Sequence, residues 1–70
     1  MTWAKEWRIL SEMSQTEVAQ RLGMHVNTYI RKEREPGGFT LSEVQAFAEI
    51  ANKDPADIFL RKESTKVDVE

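Results

Sequence analysis

The stretch Ser14-Gln15-Thr16-Glu17-Val18-Ala19-Gln20-Arg21-Leu22-Gly23-Met24-His25-Val26-Asn27-Thr28-Tyr29-Ile30-Arg31-Lys32-Glu33 reads as two short helices joined at a glycine. Val18, Ala19 and Leu22 fall at i, i+1 and i+4, the apolar stripe of a helix that packs on one side. Ser14 suits the N-cap, and Glu17 three residues on predicts a capping box, in which each side chain satisfies a backbone N–H that the helix leaves unpaired. Gly23 follows the last apolar position, where the chain must turn left-handed and only glycine does so without a Cβ penalty. A second helix then starts with either His25 or Asn27 as its cap and turns Tyr29 inward. Two helices joined through a turn of about three or four residues containing glycine form a helix-turn-helix.

On the N-terminal side, residues 2–11 put Ala4, Trp7 and Leu10 or Ser11 on one face, which predicts a first helix packed through Trp7. Trp3 reads either as a lid on the core or as part of a partner-binding surface. On the C-terminal side, Pro36-Gly37-Gly38 breaks the helical pattern. Thr40-Leu41-Ser42-Glu43 is a second capping box, opening a helix whose inward positions are Leu41, Val44, Phe47, Ala48 and Ala51. Asn52 sits where that helix should end in the left-handed conformation. Asp54 as N-cap and Pro55 at the first helical position start a short last helix through Ile58, Phe59 and Leu60. No strand pattern competes, so the fold expected is all-α, a compact five-helix bundle over residues 1–61, with a flexible polar tail at 62–70.

Seventy residues allow one small domain, whose core alone supplies only a few kcal/mol of net stability. Without cysteine and with one histidine, neither a disulfide nor a zinc site can staple it, and no cofactor is expected. No apolar run approaches the roughly 20 residues that span a bilayer, so the chain reads as soluble and cytoplasmic, with no membrane partner. The net charge of −2 is a poor match to nucleic acid in bulk. Its distribution is better: residues 13–35 carry four basic and three acidic side chains, while residues 36–70 carry four and seven. The basic groups thus favour the paired helices.

Met13-Ser14-Gln15, Val18-Ala19, Leu22-Gly23, Thr28-Tyr29 and Glu33, with an arginine seven residues before the glutamine at Arg8, resemble the helix-turn-helix of the phage repressor and Cro class, the XRE-type family, over about Ala4 to Leu60. The resemblance implies the lambda repressor-like DNA-binding fold, with Arg8 and Glu33 as a structural ion pair across the domain. It also implies that Val26, Asn27, Thr28 and Arg31 face the bases of an operator. Chemistry agrees with most of this, since Asn pairs with an adenine edge, Arg with guanine and Val with a thymine methyl. Gln15, at a helix N-terminus with partial positive charge, suits a phosphate oxygen. His25 reads as a cap or a phosphate neighbour, and Lys32 and Arg34 as further phosphate contacts. Each has a plainer reading: Asn27 and Thr28 as first-turn residues, and Arg31, Lys32 and Arg34 as a solvated face interleaved with Glu33 and Glu35.

Two residues depart from the family. Lys32 stands where an apolar side chain is more usual, and Ile30 where a polar one is, so Ile30 suits protein contact better than phosphate contact. The resemblance therefore implies either of two partners. One is double-stranded operator DNA, bound by a Cro-like regulator as a dimer with Ile58 and Leu60 in its interface. The other is a repressor protein, masked by an antirepressor that uses Ile30 and Trp3. A toxin–antitoxin or restriction-controller role is a third use of the same fold. No enzyme or small-molecule substrate is expected, since His25 has no nucleophile in context and Gly37-Gly38 is a turn signal, not a phosphate loop.

Overall fold

The computed structural model describes residues 1–60; the tail read at residues 62–70 lies outside them. Among these residues five α-helices follow in order, α1 Trp3–Leu10, α2 Gln15–Leu22, α3 Val26–Arg34, α4 Leu41–Ala51 and α5 Ala56–Phe59, with a 3₁₀ turn at Pro36–Gly38 between α3 and α4. Among the described residues there is no strand and no helix long and apolar enough to cross a membrane.

Caps and stops explain where these helices begin and end. Thr2, Ser14 and Thr40 each accept a backbone N–H from the first turn of α1, α2 and α4, worth about 1 kcal/mol apiece. At the other end, α2 closes on Gly23 (φ 74°) and α4 on Asn52 (φ 56°). In both, the next residue donates back to the carbonyl five residues earlier: Met24 to Ala19 at 3.0 Å and Lys53 to Ala48 at 2.8 Å. The chain leaves α1 through a third left-handed residue, Glu12 (φ 57°), which no sequence feature announced.

The core draws on every layer. Ala4 and Trp7 of α1, Val18 and Ala19 of α2, Tyr29 of α3, Phe39 of the loop, and Phe47 and Ala48 of α4 are buried together. Phe47 is its centre, with ring centroids of Trp3, Trp7, Tyr29 and Phe39 5.4 to 6.1 Å away. Trp3, half-buried, closes this aromatic cluster edge-on to Trp7 at 4.8 Å. The Trp7 indole N–H has no hydrogen-bond partner among the described residues, a cost of about 1–3 kcal/mol. Burying the ring, at roughly 200 Å² of apolar surface, contributes roughly 5 kcal/mol and outweighs it.

Several expectations need correction. Leu10 and Leu41, read as inward, are 59% and 69% exposed, because helical period fixes an angle but not whether another element covers it. Leu10 ends α1, and Leu41 is the first residue of α4. The Ser14–Glu17 box forms only in part: Ser14 accepts from Glu17 N–H, but the Glu17 carboxylate takes the Arg21 guanidinium at 3.3 Å. The last helix starts at Ala56, and Asp54 accepts the Ala56 N–H at 3.0 Å without being its N-cap. Leu60 falls just past the end of α5.

Candidate nucleic-acid interface

The geometry of the reading helix follows from its inward face. Tyr29 and Glu33 lie one turn apart on α3 and are buried. Glu33, only 5% exposed, is tied from three helices. Its Oε2 accepts Arg8 Nε at 2.6 Å and the Tyr29 hydroxyl at 2.7 Å, and its Oε1 accepts Gln15 Nε2 at 2.9 Å and Arg8 Nη2 at 3.5 Å. Arg8 Nη1 also donates to the Met13 carbonyl at 3.1 Å. Thr2, besides capping α1, donates its hydroxyl at 2.7 Å to the Glu33 main-chain carbonyl, one of those the end of α3 would otherwise leave unpaired.

Electrostatics in this cluster are cooperative. Burial alone would raise the Glu33 carboxyl, but the bonds from Arg8, Tyr29 and Gln15 outweigh it and hold the group below the ordinary carboxylate range. The Glu33 carboxylate raises the Arg8 guanidinium. The Tyr29 hydroxyl is pushed far up, first by burial and then by its bond to Glu33.

With that face locked, the helical period decides what points away. Asn27, Arg31 and Arg34 fall within about 60° of one another around the axis, and all three are exposed. Thr28 and Ile30 flank this ridge, half-buried. None of the side chains of Asn27, Thr28, Arg31 and Arg34 makes a hydrogen bond or ion pair with another described residue, and the donors of the three exposed ones face solvent uncommitted. His25 is the cap: its Nδ1 accepts the Asn27 N–H at 3.0 Å. That bond leaves Nε2 as the donor of the neutral ring. The first turn of α3 carries no acid, so nothing there competes with an anion for the positive end of the helix.

Other residues sit differently from the sequence reading. Val26 is half-buried and packs against the core. Gln15 gives one amide hydrogen to Glu33, keeping the other and its carbonyl oxygen. Lys32 turns sideways to α4, its Nζ donating to Glu43 Oε1 at 2.8 Å. Sequence reasoning missed Glu43, taken only as a cap, and Lys5. Lys5 joins Met1, Thr2, Gln15, Ile30 and Arg34 around a cleft of about 320 Å³ beside the reading helix. The one hint at Glu43 was a lysine where an apolar residue is usual, which marks Lys32 as a packed stem but does not name the partner it reaches. Ile58 packs against the core, while Phe59 and Leu60 are 71% and 78% exposed. Among the described residues, no group of histidines and carboxylates is placed to hold a metal ion.

No curated protein and no solved structure matches the chain. The helix-turn-helix family HTH_3 matches residues 5–58, well over half the length and all of α2, α3 and α4. A glycine-turned helix pair, the Arg8–Glu33 brace behind it and that match together make the chain a member of the XRE-type helix-turn-helix family, the DNA-binding domain of transcription regulators.

Proposed function

We propose that the protein is a Cro-type regulator that reads operator DNA in the major groove with Asn27, Thr28 and Arg31, while α2 crosses the phosphate backbone. The observation that carries this is the exposed ridge of α3: its polar side chains are uncommitted while the opposite face is fixed by Glu33. A rigid helix presents these donors with no backbone left to order at binding, so that only the side chains themselves are immobilised by two-point base contacts. Arg34, the His25 Nε2 and the remaining Gln15 amide hydrogen serve phosphates around the ridge. Two copies joined through the exposed residues at and beyond the end of α5 would set their reading helices about 34–36 Å apart, one turn of duplex. Such a regulator would work in the cytoplasm of a bacterial host.

Ile30 motivates the antirepressor alternative. It shares its cleft with Lys5, Arg34 and Glu33; the Glu33 carboxylate is already matched by Arg8, and the two exposed cations would repel a basic repressor surface. Charge in the cleft therefore favours DNA.

A gel-shift titration on a duplex selected by this protein from a random 20-bp pool tests the assignment. Wild-type affinity should fall steeply with salt, by about 0.9 in log–log slope per phosphate neutralised. Arg31→Ala should lose about 1–3 kcal/mol on the selected site and relax preference at one base position. Salt-insensitive binding that Arg31→Ala leaves unchanged would overturn the reading.

A further inference from the structure

Lys32 occupies the flank of α3 between the exposed ridge and the buried face, and its environment is built. Its ammonium donates at 2.8 Å to Glu43 Oε1, the same oxygen that accepts the Thr40 N–H at 2.9 Å. Glu43 N–H in turn donates to Thr40 Oγ1 at 3.1 Å, so the α4 capping box and the lysine share one carboxylate. The two side chains are 21% and 25% exposed. The Lys32 stem runs beside Gly38, and Nζ stands 5.8 Å from the centroid of the buried Phe39 ring. Among the described residues this is the one hydrogen bond between an α3 and an α4 side chain.

We infer that Lys32 is a positioning residue, which acts through Glu43 to hold the outer half of the reading helix against the start of α4, and is not a phosphate contact. Glu33 fixes α3 from the α1 and α2 side, at a point on its inward face. Tyr29, packed on Phe39 and Phe47 at 6.2 and 6.1 Å, holds the same inward face, and a helix held along that face alone is left with small rotations about it. A second tie on the opposite flank removes that freedom and fixes the azimuth of Arg31, the neighbour of Lys32 on the exposed side. Moving Lys32 to a phosphate would break its charged hydrogen bond to a carboxylate already engaged in a cap and withdraw a cation from beside an aromatic ring. The inference rests on the DNA-binding reading above.

Lys32→Met, Glu43→Gln, their double variant and Lys32→Arg, each titrated in salt against the selected duplex and against the same duplex changed at the base pair Arg31 reads, separate the outcomes. For a positioning residue, Lys32→Met leaves the salt slope at the wild-type value and lowers the matched-to-mismatched ratio about fivefold. Glu43→Gln, whose amide oxygen keeps the Thr40 cap and a neutral acceptor for Lys32, lowers the ratio by a smaller factor at an unchanged slope. The double variant is no worse than Lys32→Met, and Lys32→Arg restores the ratio. A phosphate contact gives the opposite pattern: the slope of Lys32→Met drops by about 0.9, and Glu43→Gln, freeing the cation, tightens binding. That pattern overturns the inference. So does a thermal midpoint that falls while the matched-to-mismatched ratio stays put, since the pair would then only support the fold. Wild-type protein that binds neither duplex would defeat the DNA reading itself, a result distinct from either of these.

Discussion

Two acid–base seams hold α3, and they differ in burial more than in chemistry. On the inner seam, Glu33 is 5% exposed and takes donors from Arg8, Gln15 and Tyr29. On the outer seam, the Glu43 side chain is 25% exposed and takes Lys32 and a backbone N–H. A buried carboxylate must be fully satisfied or it costs several kcal/mol, whereas water can replace a lost partner at the half-exposed one. The inner seam therefore decides whether the helix pair exists, and the outer seam decides how its ridge is aimed. Charge on α3 is divided accordingly: what is buried braces the fold, and what is left outside is available to a ligand.

The contrast breaks first at Glu33. Glu33→Ala strands the Arg8 guanidinium, the Tyr29 hydroxyl and the Gln15 amide at once, and should lose about 3–5 kcal/mol. In a domain whose net stability is only a few kcal/mol, urea unfolding followed by circular dichroism should find little native baseline at 25 °C. A loss under about 1 kcal/mol, the range of surface pairs, would show the two seams to be equivalent.

Acidity sharpens the same contrast. Glu33 is held below its ordinary value near 4.5, so the unfolded chain takes up the proton first. Its stabilisation is whole above that pH and lost as pH falls through the folded value. Tyr29 runs the other way. Its hydroxyl is raised above an ordinary value of 10.0, so the unfolded chain releases the proton first, and stability is whole below about pH 10 and declines above it. A plot of thermal midpoint against pH should thus fall at both ends. Tyr29→Phe should remove most of the alkaline fall and cost about 1.5–3 kcal/mol at neutral pH, the loss of a hydrogen bond to a charged group. Glu43 is also lowered, first by its bond from Lys32. It is more exposed, so Glu43→Gln should keep most of the acid fall and shift stability by no more than about 1 kcal/mol.

How much of this was legible beforehand depended on the range of the forces involved. Local rules placed α2 between Ser14 and Gly23, the Thr40–Glu43 box and the left-handed stop at Asn52, since each is settled by a few adjacent residues. Tyr29, Phe47 and Val18 were legible as core from period alone. What escaped depended on groups distant in sequence. Nothing near Lys32 says that Glu43, eleven residues on, will reach it across a loop. Nothing near Val26 says that its methyls pack on the core while Asn27 is left outside. Leu41 has the right angle for burial but stands at the first position of α4, in an apolar groove with Trp3, Phe39 and Ile58 that leaves it 69% exposed. Family resemblance supplied the long-range Arg8–Glu33 partnership that local reading could not.

The smallest effect belongs to a third pair, Arg21 with Glu17, which extends the comparison to the surface. Its side chains are 53% and 45% exposed, at 3.3 Å and one turn apart on α2. Water screens such a pair, so Arg21→Ala should cost no more than about 0.5 kcal/mol, and high salt should erase the difference. The pair is informative because it explains the incomplete Ser14 box. Glu17 has a cation within reach on its own helix and turns to it, while Glu43 meets a cation that approaches from the cap side and serves both. Arg21→Ala should therefore free Glu17 to swing back to the Ser14 N–H. Slower amide exchange at Ser14 in the variant, read by NMR, is the expected sign; unchanged exchange would mean that Arg21 does not decide which way Glu17 turns.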